Sequence, residues 1–339
     1  MKSKSLLGAI IGDILHNTFS DKKYVDDTDR DISILSEKSK ISGYTVITLA
    51  VAKYIMEYYH LYEGQIEPGR SEKRKELLCK TILDLAKAHP ELDYPEWLKK
   101  WMSSDKCIPT KDNDGMTVIC FSPLINYFSS TTDLESTLRM VSEAIPAVIC
   151  SKSDDNGYKI YATALYGCTR YDISVVHDFL ASLYNFRWPT ELKELESKYG
   201  WNTSVSKAME PALTVFYQGD WGCRKNEPIT NMERGISCIN RIGGLCSLVT
   251  PLVSTLVQTS YESFSCSLTE PIFDEMESLR ALLPKDLLEI NDNFFEFIKK
   301  VRGFDDFELD DDNNENEPNN GIEPDEDGTI PFGDLLKLL

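Results

Sequence analysis

The sequence predicts an all-α protein, and three observations carry that expectation. Apolar residues recur at three- and four-residue spacing along most of the chain, strand-like alternation is scarce, and the hydrophobic share, 42%, is that of an ordinary globular core. The helices follow in order. Leu6, Leu7, Ile10 and Ile11 begin a first buried helix. Lys2 and Lys4 ahead of that run imitate a secretory leader, but Asp13 and His16 interrupt the apolar stretch and no small-residue cleavage site follows. Val46, Ile47, Leu49, Ala50, Tyr54, Ile55 and Tyr58 give a second helix with one apolar face, and Leu77, Leu78, Ile82, Leu83 and Leu85 a third, with Asp84 and Lys87 turned outward. Leu134, Leu138, Ala144 and Val148 predict another. A long apolar pattern runs from Ile236 to Val257, and Pro251 inside it is expected to bend or split that helix.

Charge divides the chain. Of a net charge of −19, residues 303–328 supply twelve negative charges and no positive one, which leaves −7 on the remainder. The sequence therefore reads as one helical domain over 1–302, an acidic disordered linker over 303–328 and a short apolar segment over 329–339. The linker cannot bury enough apolar area to offset its chain entropy. An acidic body argues against nucleic-acid binding, which needs a basic surface. No apolar run approaches about 18 residues, so no membrane span is expected.

Nine cysteines are scattered without a C-x-x-C pair, and Cys120 and Cys168 lie in apolar contexts. That usage suits buried thiols in a reducing compartment, and the chain is read as cytoplasmic. The four histidines, 16, 60, 89 and 177, are not clustered, so zinc is not expected. Neither a G-x-S-x-G elbow nor a G-x-x-x-x-G-K-[ST] phosphate loop occurs.

Several ordered stretches resemble the ADP-ribosylglycohydrolase family. Gly8-Ala9-Ile10-Ile11-Gly12-Asp13 is similar to the family's opening G-A-I-x-G-D, and Tyr44 to Ala52 to the helix after its T-D-D-T metal motif. Tyr199 to Asn202 and Pro211 to Phe216 fit the segment before its last site helix. Gly243-Gly244 stands where the family has G-G-D-x-D-T, and Leu283 to Asn291 resembles its closing helix. The resemblance covers nearly all of 5–300. It implies an all-α, orthogonally packed domain whose cleft holds two Mg²⁺ ions on acids from two distant motifs, with a metal-bound water attacking the ADP-ribose linkage. Magnesium demands hard oxygen ligands in near-octahedral geometry, and two such ions lower the pKa of an attacking water.

The departures from that pattern fall on the metal acids. At the first motif the aspartates align with Gly43 and Tyr44, and only Thr45 persists; at the second they align with Leu245 and Ser247, and the threonine with Leu248. None of these replacements is an anionic oxygen ligand. The family's H-N-H-P stretch aligns with Ser151 to Asp154, its glycine-rich segment with Asp114 to Cys120, and its small S-x-Q-G-S turn with Ser206 to Met209, where Met209 is expected to fill a polar pocket. Gly243 and Gly244 keep a backbone role. Asp13 reads as a structural cap or buried acceptor, and Thr45 and Thr48 as hydroxyls that satisfy backbone carbonyls. A literal D-D-T at 26–28 lies in a stretch, 20–42, read as a solvated loop.

Two functions follow as expectations. One is a catalytically inactive ADP-ribosylglycohydrolase-like protein that binds a partner protein, immunity-like or regulatory. The charge would steer it to a basic surface; no cofactor is expected, and the lost acids argue against an ADP-ribose-like ligand. The other is a weakly active or re-purposed Mg²⁺-dependent hydrolase, built from residual acids such as Asp13, Asp112, Asp114 or Asp155.

Overall fold

The computed structural model describes residues 6–19, 39–62, 69–111, 114–149, 157–171, 173–184, 204–218, 248–264 and 279–301. Helices make up most of them: α1 (Leu7–Phe19), α2 (Gly43–Tyr58), α3 (Arg70–Ala88), α4 (Glu96–Ser104), α5 (Gly115–Ile119), α6 (Ser122–Thr131), α7 (Leu134–Ala144), α8 (Gly157–Arg170), α9 (Ile173–Tyr184), α10 (Val205–Gln218), α11 (Val249–Phe264) and α12 (Lys285–Val301). Among the described residues the β-structure is an isolated parallel bridge between Thr110 and Ile149. The all-α expectation holds, and no described helix is long and apolar enough to cross a membrane. The acidic stretch 303–328 and the segment 329–339 lie outside the described residues.

Two helices organise the core. Helix α2 is covered by α3, α6 and α12, and α8 by α6, α7, α9, α10 and α11. The spacing in α2 suggested one apolar face, yet Thr45 through Ala52 are buried without interruption. A helix apolar on every side is an interior helix, and its few polar side chains must find partners within the protein. The amphipathic helices α3 and α7 lie outside it, joined by a fork in which Arg74 Nε and Nη2 meet Glu143 Oε1 and Oε2 at 2.7 and 2.6 Å.

Helices α1 and α11 approach closely because glycine permits it. A Cβ at Gly12 would lie 2.5 Å from Pro251 Cα, and one at Gly8 would strike the Ser254 carbonyl. The Gly8 amide donates to Gln258 Oε1. Pro251 does not split this helix. It sits in the first turn of α11, where an amide hydrogen has no intrahelical partner to lose. The pattern expected from Ile236 onward lies, up to Ser247, outside the described residues. The helix expected to reach Val148 ends instead at Ala144 and tightens into a 3₁₀ turn over Ile145–Ala147, since Pro146 cannot continue the α-helical ladder.

Candidate functional site: the N-terminus of helix α2

The first amides of a helix have no intrahelical acceptor, and together with the helix dipole they form a natural anion site. At α2 every one of them is met from within the chain. Gly43 N donates to the Asp93 carbonyl at 2.8 Å. Tyr44 N donates to Ser42 Oγ at 3.2 Å, which makes Ser42 the N-cap. Thr45 N donates to Asp13 Oδ2 at 3.2 Å, and Ser42 N to the same oxygen at 2.9 Å.

Asp13 comes from the middle of α1 and is 2% exposed. Besides the two amides it accepts Ser42 Oγ at 2.5 Å and Thr45 Oγ1 at 2.6 Å. It is the buried cap that its sequence position suggested. Thr48 Oγ1 donates to the Tyr44 carbonyl at 2.9 Å, as expected, whereas Thr45 departs from expectation: its hydroxyl serves the Asp13 carboxylate. The stretch read as a solvated loop is buried at its end. Ser39, Ile41 and Ser42 are all buried, and Ser42 meets Asp13 of α1. Residues 20–38, with their D-D-T, lie outside the described residues.

A second carboxylate, Asp114, caps α5 by accepting Thr117 N at 3.3 Å and Thr117 Oγ1 at 2.7 Å. It also accepts Trp97 Nε1 at 3.1 Å and Tyr44 Oη at 3.2 Å from each of its oxygens. Burial first, and the Asp114 carboxylate second, push the Tyr44 phenol far above its ordinary value, so Tyr44 acts as a donor. Behind it, Cys120 Sγ lies 3.3 Å from the Tyr44 carbonyl, and burial pushes its thiol well up. Such a thiol is chemically quiet.

The position where the resemblance would put the first metal acid is tightly packed. Gly43 faces the connection between α3 and α4. A Cβ there would run into the Tyr94 ring and lie 2.7 Å from the Asp93 carbonyl oxygen. Tyr94 is itself fixed, its hydroxyl donating to the His89 carbonyl at 2.9 Å. An acid side chain at 43 therefore does not fit this arrangement. The oxygens of Asp13 and Asp114 are engaged by hydrogen-bond donors of the chain itself.

The remaining site positions divide between core and undescribed chain. Leu248 is buried in the turn that opens α11, and Met209 is buried completely within α10. The contact of Gly12 with Pro251 brings the first turn of α11 beside the turn of α1 that carries Asp13. Asp112, Asp155, Gly243, Gly244, Leu245 and Ser247 lie outside the described residues. Sequence reading missed Ser42, Asp93, Tyr94, Trp97 and Thr117. Ser42 had a legible signal, a serine just before a helical run, and so had Asp114-x-x-Thr117; Tyr94 and Trp97 are long-range partners with none.

No protein-family model matches the chain, and no curated protein matches it in sequence. Its fold does have solved counterparts. A structure described as an ADP-ribosylglycohydrolase-related protein complex superposes with a TM-score of 0.54 at 11% identity, over 87% of this chain and 96% of that one. At that identity the likeness carries the fold alone, and the chain has an all-α fold similar to that of an ADP-ribosylglycohydrolase-related protein.

Proposed function

We propose that this chain is a catalytically inactive relative of the ADP-ribosylglycohydrolases that acts by binding a protein partner. The observation that supports it best is the packing at Gly43, where the Tyr94 ring and the Asp93 carbonyl occupy the space an acid side chain would need. Loss of a ligand by substitution alone leaves a vacant coordination position; here the neighbouring connection lies against Gly43. Asp13, which a metal would have to recruit, instead holds α2 to α1 through four hydrogen bonds. Hard divalent cations bind anionic oxygens, and glycine, tyrosine and leucine do not replace them.

The partner is proposed to be basic. A net charge of −19 on 339 residues raises encounter rates with a positively charged surface, and more so at low ionic strength. A weakly active or re-purposed hydrolase that used the described acids would need Asp13 or Asp114 to give up hydrogen bonds to Ser42 and Thr45, or to Tyr44, Trp97 and Thr117. The test is incubation with a mono-ADP-ribosylated protein in the presence of Mg²⁺, with free ADP-ribose measured over time. No release above the spontaneous rate is expected. Metal-dependent release that disappears in Asp114→Asn would establish the hydrolase instead.

A further inference from the structure

His89 closes α3. It is the C-cap of that helix, buried, with its amide donating to the Ala86 carbonyl at 3.2 Å. Both of its ring nitrogens face carboxylates. Nε2 lies 2.8 Å from Asp286 Oδ2 in the first turn of α12. Nδ1 lies 3.6 Å from Glu91 Oε1 in the connection to α4, a charge contact rather than a hydrogen bond. Among the described residues, neither carboxylate pairs with a lysine or an arginine. The cations of the neighbourhood are placed otherwise: Lys87, in the last turn of α3, pairs with Asp105, Lys99 pairs with Asp93 and Glu96, and Lys285 stands exposed beside Asp286. The Tyr94 phenol donates to the His89 carbonyl at 2.9 Å.

We propose that His89 is a proton-operated clasp between α12 and the α3–α4 connection. A neutral imidazole has one N–H and one lone pair. The 2.8 Å bond to Asp286 takes the N–H at Nε2, so the lone pair at Nδ1 faces the Glu91 carboxylate, and two acceptors confront each other. A proton taken from solvent onto Nδ1 turns that lone pair into a second donor. It also places a positive charge between two carboxylates at the negative end of α3. Protonated, the clasp holds Asp286 and Glu91 together; neutral, it keeps Asp286 and releases Glu91.

What the clasp holds is the segment that packs on α2. Pro90 to Pro95 lead from His89 to α4. Leu92 N donates to the His89 carbonyl at 3.3 Å, and Gly43 N donates to the Asp93 carbonyl at 2.8 Å. Release of Glu91 leaves these bonds in place and removes one restraint from the segment. The response is therefore a change in local opening, not unfolding. Glu91 is 63% exposed, so the contact is worth little, about two- to fivefold in the opening equilibrium of the segment.

In the full chain, long-range ¹H–¹⁵N spectra read the hydrogen on each ring nitrogen, and amide exchange reads the segment. At about pH 5.5 both nitrogens of His89 are expected to carry hydrogen, and at about pH 8 Nε2 alone. Protection of the Leu92 amide, corrected for the intrinsic exchange rate, is expected to fall about two- to fivefold between the two conditions. Glu91→Gln, at an exposed position, supplies an amide that accepts from a protonated Nδ1 and donates to a bare one. In that variant Leu92 protection should be the same at both pH values. Hydrogen on Nδ1 instead of Nε2 at the higher pH, a ring still neutral at the lower, or equal Leu92 protection at both in the natural chain would overturn the proposal. So would a fall in Glu91→Gln as large as in the natural chain.

Discussion

A carboxylate taken out of water at 2% exposure costs several kcal/mol unless every oxygen finds donors, and Asp13 finds four. Its charge also lies against the positive end of α2. Asp13→Ala removes the acceptor and leaves the Ser42 and Thr45 donors buried without it, so the loss is expected to be about 3 kcal/mol, read from the midpoint of chemical unfolding. Gly43→Asp is the complementary change. A restored acid in an open site would raise affinity for Mg²⁺; here its Cβ meets Tyr94 and the Asp93 carbonyl, and the substitution is expected to cost about 2 kcal/mol or more with no gain in metal binding. Calorimetry on the folded variant checks both halves of that statement. At this scale the sequence was legible wherever the reason was local. Asp13 as a cap, Thr48 on a backbone carbonyl and Cys120 as a buried thiol all follow from residue type and spacing. The Thr45 hydroxyl was misjudged because its acceptor arrives from 32 positions away on another helix.

Between elements, the α1–α11 contact decides where the site region sits. Glycines at 8 and 12, one turn apart, let α1 lie close against Pro251 and Ser254. Gly12→Ala would drive a methyl group to within 2.5 Å of Pro251 Cα, so the helices must separate. A loss of about 1–3 kcal/mol is expected in thermal or chemical unfolding, with faster amide exchange in the turn that carries Asp13. The repeat of apolar residues located α2, α3 and α7, and the resemblance located α12, but two boundaries were misplaced at prolines. Pro251 was weighed as a breaker but lies in the first turn of α11, and Pro146, which was not weighed, turns the end of α7 into a 3₁₀ turn. Periodicity also understated α2. A helix buried on all sides shows as a nearly continuous apolar run, here from Thr45 to Ala52 with two threonines inside it.

Across the whole molecule, buried acids of high pKa make alkaline pH destabilising. Burial pushes up the thiols of Cys120 and Cys168 and the phenols of Tyr44 and Tyr161. The folded state keeps these protons where the unfolded chain releases them, at about pH 8.5 for a thiol and about 10 for a phenol. Their contribution is therefore complete below the thiol value and falls as the pH rises through both ranges. Urea unfolding should show a falling midpoint from about pH 8.5 upward, with Cys120→Ala flattening the first part of the decline; a midpoint unchanged to about pH 10 would contradict it. The fold class, helix order and charge asymmetry were all readable from composition and periodicity. The packing at Gly43 was not, because it depends on the α3–α4 connection reaching that residue, a contact that no local pattern encodes.

The central claim, that the N-terminal end of α2 has been rebuilt as a packed cap, is tested most directly by crystals soaked in Mn²⁺ and measured for anomalous scattering. The account predicts no ordered ion within bonding distance of Asp13, Tyr44, Thr45 or Asp114, and an unmoved Tyr94 ring against Gly43. A pair of ions held there by this chain's own side chains, with Ser42 or Tyr44 displaced to admit them, would contradict it.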